Sequence, residues 1–160
     1  MAVLRFATHL WFDAEAVEAA RLYTGLLPGS RIDRVVLAPP GAPGTVEGAP
    51  FFVDLTLMGQ RYTFLNGGPL FPFDAQVSLY VVCETQDEVD HYWSALLEGG
   101  GAESRCGWLT DRFGLSWQIV PDALETLMAD PDPEVARRVL QAMLEMGKLD
   151  VAGLEAAARG

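Results

Sequence analysis

The side chains best suited to catalysis or metal binding are few in this sequence. The strongest metal ligands it offers are two histidines, His9 and His91, and two cysteines, Cys83 and Cys106. A zinc site needs several nitrogen, sulfur or oxygen donors that converge on one point. Arg105 can favour the thiolate form of Cys106, but the sequence places no histidine to act as its base. We therefore interpret both cysteines as structural thiols.

The glycine-rich segments do not match cofactor-binding turns. Gly99–Gly101 follows a predicted helix and precedes a predicted strand, so we interpret it as a helix C-cap and a loop. A methyltransferase of the common α/β type needs such a turn between a strand and a helix. No Walker-type lysine motif occurs either, so the sequence does not indicate nucleotide hydrolysis.

The composition indicates a globular protein that binds neither nucleic acid nor membranes. The chain has 160 residues, of which 50% are hydrophobic and 21% are charged, which fits one domain with or without an appendage. A net charge of −11 disfavours phosphate backbones and anionic membranes. The first residues lack the long apolar stretch of a secretory signal, and the cysteines are too few for a disulfide scaffold. We therefore expect a cytoplasmic location.

The elements that must position any site occur in a repeated order. Each half of the sequence indicates a strand, a helix and then three strands. The predicted strands are residues 5–12, 32–37, 51–58, 61–65, 76–83, 102–110 (with a break) and 115–120. Asp13 is predicted to cap the first helix, and Thr85 with Glu88 forms a capping box for the second. Two such halves can close a curved sheet around a shared cleft.

Strand alternation assigns faces to the last of these strands. Ser116 and Val120 share the face of Gln118, whereas Trp117 points to the opposite face and is predicted to lie in the core. His9 is harder to assign, because a shift of one residue would turn it to the other face of its strand. His91 lies within a helix rich in acidic residues and is predicted to be a solvated surface histidine.

Three short helices are predicted after Pro121, at residues 123–128, 134–146 and 151–159. The middle helix carries an apolar stripe, and a helix with that much apolar surface must cover something. The stripe consists of Val135, Val139, Met143 and Met146, widened by Leu140 and Leu144. It covers either the protein's own sheet or a partner subunit, and the sequence leaves both alternatives open.

Several segments resemble one family along nearly the whole chain. They are LWFD (10–13) with AARLY (19–23), LNGGP (65–69), SLYVVCETQDEVD (78–90), CGWLTDRFGLSWQ (106–118) and MGKLD (146–150). These motifs resemble those of the PhnB-like, or demethylubiquinone methyltransferase-like, branch of the vicinal oxygen chelate superfamily. The superfamily includes glyoxalases, bleomycin-resistance proteins and dioxygenases. The third and fourth segments are the most specific.

The resemblance implies an α+β fold in which paired βαβββ modules form a curved mixed sheet around a cleft. It implies one domain at residues 1–121, with modules at about 1–68 and 74–121, and a C-terminal helical extension at residues 122–160. Members of this superfamily are usually dimeric, so we expect a homodimer. Their activities range from metal-dependent catalysis to ligand sequestration without a metal, so the fold alone does not give the function.

The metal-dependent members carry His, Glu or Gln at inward positions of four strands. By resemblance, Gln118 lies where those members often have Glu, and Ser78 lies where a ligating His is common. Serine is a poor ligand for Zn²⁺ or Fe²⁺. At most Gln118 and His9 would remain as ligands, so we expect no metal centre and no other cofactor.

Two functional hypotheses follow, with a third as an alternative. The first is a metal-free protein that binds a small, partly apolar molecule in the cleft. The second is a divalent-metal-dependent lyase, isomerase or dioxygenase; methyltransferase activity is not expected. The third is that the C-terminal helices form an interaction surface and the cleft has lost its role. The candidate ligand-binding residues are Ser78, Tyr80, Asn66, Ser116, Gln118, His9, Trp108 and Cys106.

Overall fold

The structure is a computed structural model that describes residues 4–160. The chain divides into two compact units, the first ending at Phe73 and the second running from Asp74 to Gly160. The first unit contains β1 (Thr8–Phe12), α1 (Ala16–Leu26), β2 (Arg31–Leu37), β3 (Pro50–Leu57) and β4 (Gln60–Asn66). The second contains β5 (Ser78–Cys83), α2 (Gln86–Leu97), β6 (Ala102–Glu103), β7 (Trp108–Thr110), β8 (Ser116–Pro121), α3 (Asp122–Met128), α4 (Pro133–Glu145) and α5 (Val151–Arg159).

The predicted α+β class and the repeated strand–helix–three-strand order are confirmed. The two units have mixed four-stranded sheets of equivalent topology, ordered β1-β4-β3-β2 and β5-β8-β7-β6. In each sheet the first strand runs parallel to the last strand of its unit, and the remaining neighbours are antiparallel. A helix between the first two strands of each unit makes this parallel return possible.

One face of each sheet is buried against the helix of its own unit. In the first unit the apolar positions of β1, β3 and β4 alternate with more polar ones, and Leu10, Val53 and Phe64 are buried. In the second unit Cys83, Trp117 and Ile119 have no exposed surface. The prediction that Trp117 belongs to the core is confirmed.

The C-terminal helices belong to the second unit, and their predicted bounds are correct to within one residue. Val139 of α4 is fully buried in a cluster with Val120 of β8 and three leucines. Most of the predicted apolar stripe therefore covers this unit's own sheet and helices. Leu140 and Leu144 remain 38% and 48% exposed.

Several local predictions can be compared directly with the hydrogen bonds. The predicted cap Thr85 accepts a backbone amide of α2, and the sequence types of Asp132 and Asp150 suit the same role, which both have at the starts of α4 and α5. The prediction of Asp13 as the cap of α1 is wrong. That helix begins at Ala16 and has no cap from the preceding chain, because the side chain of Asn66 accepts the Ala16 amide instead.

No helix within residues 4–160 combines the length and the apolar character needed to cross a membrane.

Candidate functional site

Alternation along three strands gathers polar and aromatic side chains on one face of the second sheet. Ser78 pairs with Ser116 across β5 and β8, and Gln118 lies between Tyr80 and Trp108 in the registers of its two neighbours. These five residues share the face opposite to the buried Trp117 and Ile119. We call this face, defined by these five side chains, the open face of the second sheet.

The centre of the open face is an amide–hydroxyl pair. The Gln118 Nε2 atom donates to the Ser78 Oγ atom over 2.8 Å, and both side chains are partly exposed. The Ser78 hydroxyl still has its own proton to donate, and the Gln118 carbonyl oxygen and second amide hydrogen have no partner within residues 4–160. The pair can therefore both donate hydrogen bonds to a ligand and accept them from it.

Tyr80 extends from the same face towards α3. Its hydroxyl donates to the Glu125 Oε1 atom over 2.8 Å, and 49% of the residue is exposed. Desolvation of the hydroxyl, the hydrogen bond to Glu125 and the charge of that carboxylate raise the pKa of Tyr80 to about 12. Tyr80 is therefore a neutral phenol at physiological pH, with a fixed hydroxyl and an exposed ring.

Ser116 is buried, unlike the pair, and Cys106 is partly buried. Ser116 is only 2% exposed, and its hydroxyl makes a long contact of 3.5 Å to the Asp74 carbonyl. Cys106 is partly buried in a turn with φ of 58°, where its amide donates to the Met146 carbonyl over 2.8 Å. The Ser116 hydroxyl and the Cys106 amide therefore both contact backbone carbonyl groups of the second unit.

Cys83 is not placed to act as a nucleophile. It is fully buried, and burial together with the nearby charge of Glu88 raises the pKa of its thiol to about 11. This agrees with its interpretation as a structural cysteine. Exposed His91 lies on the surface of α2, as predicted from its acidic surroundings.

The two remaining predicted site residues lie in the first unit, on opposite faces of its sheet. His9 is exposed and pairs with Thr63, whereas Asn66 is 5% exposed and pairs with Phe12. Asn66 accepts the Ala16 amide over 2.8 Å and donates to the Pro50 carbonyl over 2.9 Å. Its side chain is thus occupied by the framework of the first unit, and we leave it out of the site.

Two carboxylates of the second unit were missed by the sequence analysis. Glu125 holds Tyr80, and the only sequence signal for it was a position in the first turn of a predicted helix. Asp111, 3% exposed, accepts the amides of Phe113 and Leu115 and the indole nitrogen of Trp117. The segment Asp111–Gly114 lies between two predicted strands and has the composition of a turn, which was the available signal for this second network.

The donors on the open face do not fit a divalent metal ion. Ser78 offers a hydroxyl that already accepts from Gln118, and Gln118 offers one neutral carbonyl oxygen. Stable sites for Zn²⁺ or Fe²⁺ use imidazole, thiolate or carboxylate groups in sets of three or more. Nowhere in residues 4–160 do three His, Cys, Asp or Glu side chains come together in such a set.

Comparison with known proteins gives the family. No curated protein matches the chain. The model of a family described as 3-demethylubiquinone-9 3-methyltransferase matches residues 4–120. The chain is 32% identical to the PhnB protein of Bacillus cereus, with a TM-score of 0.66 over 74% of this chain and 99% of that one.

Two further solved structures support the fold alone. A protein of Pseudomonas aeruginosa is 20% identical with a TM-score of 0.60, covering 74% of this chain and 98% of that one. A gene product of Arabidopsis thaliana is 16% identical with a TM-score of 0.50, covering 74% of this chain and 99% of that one. The family match and the identity to the PhnB protein show that the chain belongs to the PhnB-like 3-demethylubiquinone-9 3-methyltransferase family.

Proposed function

We propose that this protein binds a small, neutral, partly apolar molecule on the open face of the second sheet, without a metal ion. The observation that carries the proposal is the hydrogen bond between Gln118 and Ser78. The two side chains orient each other through this bond. Both side chains are partly exposed and keep unused donor and acceptor atoms, which a ligand of matching polarity can engage.

The surroundings of the pair support a ligand that is uncharged and partly aromatic or aliphatic. The rings of Tyr80 and Trp108 flank Gln118 in the register, and each offers an apolar surface for stacking. The hydrogen bond from Tyr80 places the Glu125 carboxylate beside the open face. The negative charge of this carboxylate disfavours an anionic ligand there. A carbonyl, hydroxyl or primary amide group would meet the donor and acceptor atoms of Ser78 and Gln118.

Methyl transfer, the activity in the family's description, is not part of this proposal. Gly99–Gly101 ends α2 and precedes β6, and two of its glycines have positive φ angles of 82° and 125°. This is the geometry of a helix C-terminus and not of a strand-to-helix turn that approaches a cofactor.

We also propose a cytoplasmic homodimer, as the family resemblance implies. Both cysteines are free thiols, which suits a reducing compartment. Leu140 and Leu144 leave apolar surface on α4 that a second copy could cover. Light scattering after size exclusion tests the dimer, and a monomer at micromolar concentration would contradict it.

The binding proposal is tested by chemical-shift mapping on the full chain with benzamide, acetanilide and cyclohexanol as neutral probes. We expect saturable shifts centred on Ser78, Tyr80 and Gln118. The variants Gln118→Leu and Ser78→Ala should weaken binding by about tenfold each, the effect of losing roughly one good hydrogen bond to a ligand. Ser94→Ala, on the exposed surface of α2, is the matched control and should leave affinity unchanged.

Melting temperatures of all variants exclude unfolding as the cause of any loss. The proposal is wrong if none of the probes shifts the signals of the open face. It is equally wrong if the two variants bind the probes as well as the wild-type protein does.

A further inference from the structure

The first unit contains a pocket of about 470 Å³ on its own sheet. It lies where β1, β2 and β4 begin and where β3 ends. Its volume is within the range of about 300–1,000 Å³ that is typical of small-molecule sites. The lining is unusual for this protein, because four arginines and only two aspartates contribute to it.

The two aspartates are each held by one arginine and one threonine. Asp54 accepts from Arg34 over 2.6 and 3.0 Å through one oxygen and from Thr63 over 2.8 Å through the other. Burial opposes ionisation of Asp54, but these hydrogen bonds and the charge of Arg34 outweigh it and keep its pKa below the usual range. Arg34 is thus neutralised locally, and its position is fixed.

The second aspartate repeats this pattern one step along the sheet. Asp33 forms an ion pair with Arg31 at an N–O distance of 2.8 Å and accepts a hydrogen bond from the hydroxyl of buried Thr56 over 2.7 Å. All four oxygens of the two aspartates are therefore occupied. Each aspartate is thus paired with one arginine, so the two aspartates offset the charges of Arg31 and Arg34 only.

Of the four arginines that line the pocket, Arg31 and Arg34 are paired with aspartates, whereas Arg5 and Arg61 have no carboxylate partner within residues 4–160. Both are exposed and both line the pocket. Arg61 lies directly opposite Thr56, which in turn lies opposite Arg31, so a line of polar donors crosses three strands. The pocket therefore has two excess positive charges in a chain whose net charge is −11.

A planar guanidinium group binds the oxygens of carboxylates and phosphates through paired hydrogen bonds. In a strongly acidic protein, a local excess of arginines in one pocket attracts a small anion to that pocket. We propose that this pocket binds a small organic anion, through its phosphate or carboxylate group, with Arg61 and Arg5 as the contacting cations. This site lies in the other unit from the open face, and it takes ligands of the opposite charge character.

The test is isothermal titration calorimetry on the full chain at low salt, with phenyl phosphate, benzoate and phenol as probes. We expect phenyl phosphate or benzoate to bind and phenol, which lacks the anionic group, to bind at least tenfold more weakly. The stronger of the two anions identifies the preferred group. Raising the salt concentration should weaken the binding of the anion more than the binding of phenol.

Arg61→Gln should weaken binding of the preferred anion by at least about tenfold, the loss of one charge-assisted contact. Arg21→Gln, on the exposed side of α1, makes the same change in net charge outside the pocket and should have no comparable effect. Arg5→Gln is the second pocket variant, and it remains informative if Arg61→Gln does not fold. Melting curves are recorded for all three.

The proposal is overturned if neither anion binds more tightly than phenol. It is also overturned if the pocket variants bind the anion as well as the Arg21→Gln protein does, because the effect would then be one of net charge. Failure of this test leaves the neutral-ligand site untouched, since its probes and variants are different.

Discussion

Trp11 rests on the backbone of the loop that follows β4. Its indole nitrogen donates to the Gly68 carbonyl over 2.8 Å, and its ring meets Phe71 edge-on at 5.1 Å. A Cβ atom on Gly67 would overlap with the indole ring, so only glycine fits at this close approach. The LWFD and LNGGP segments therefore belong together as parts of one packing arrangement in the first unit.

Asp111 has a similar organising role in the second unit. One carboxylate oxygen accepts two backbone amides of the turn before β8, and the other accepts the indole of Trp117 over 2.8 Å. A buried carboxylate is tolerated where several donors satisfy it. By fixing Trp117 on one face of β8, Asp111 helps to set the direction of Gln118 on the other.

At the level of single residues, the phenol of Tyr80 gives a direct test of the site's geometry. We predict that in the folded protein its hydroxyl stays protonated past pH 10.5 and titrates near pH 12. Because the folded-state pKa is raised, this contact contributes stability below the ordinary phenol pKa of about 10 and loses it as pH rises towards 12. The measurement is an NMR titration of protein with 13C-labelled tyrosine rings.

The control for this prediction is Glu125→Gln, which removes the charge but keeps an acceptor near the hydroxyl. The pKa of Tyr80 should fall towards its ordinary value in this variant. A wild-type Tyr80 that titrates near pH 10, or one that is unaffected by Glu125→Gln, would contradict the contact between β5 and α3.

At the level of elements, the sequence predicted the strands, the helices and most caps, because those features depend on neighbouring residues. Alternation also placed Trp117 in the core correctly. The failures concern partners that are far apart along the chain. Asn66 and Ala16 are 50 positions apart and Tyr80 and Glu125 are 45 apart, and local patterns carry no information about such contacts.

The stabilisation that such a long-range contact provides can be measured at the start of α1. We predict that Asn66→Ala lowers the free energy of unfolding by about 2 kcal/mol, because the buried Ala16 amide and the partly buried Pro50 carbonyl both lose their partner. Denaturant unfolding, analysed with the same m-value for the wild-type protein and the variant, measures the change.

Asp13→Ala is the matched control, since a local reading of the sequence would assign the cap to that residue. The Asp13 side chain is exposed and has no hydrogen bond in the described residues, so its loss should cost less than about 0.5 kcal/mol. An equal or larger effect of Asp13→Ala would restore it as the helix cap.

At the scale of the whole molecule, the C-terminal helices are part of the second unit's core. Val139 and Leu154 are fully buried together with Val120 of β8. We predict that Val139→Ala lowers the free energy of unfolding by about 2 kcal/mol through lost burial and a small cavity. Leu140→Ala, one residue along the same helix, should cost less than about 1 kcal/mol at protein concentrations too low for the proposed dimer to form, because Leu140 is 38% exposed within one chain.

These two variants also test whether a second copy of the chain covers the exposed surface of α4. If Leu140→Ala destabilises the protein as strongly as Val139→Ala, and does so more at high protein concentration, a second copy covers this surface. Equal unfolding curves across concentrations would leave α4 as an outer helix of the second unit.

The central claim is that Ser78 and Gln118 form a binding pair for a neutral ligand and not a remnant metal site. Its most direct test is elemental analysis of protein purified without chelators or a His-tag, combined with melting curves in Zn²⁺, Mn²⁺, Fe²⁺ and Ni²⁺. The account predicts metal far below stoichiometric content and no rise in melting temperature with any of these ions. Near-stoichiometric metal, with a melting temperature that rises as the same ion is added and no longer rises in Gln118→Leu, would contradict it.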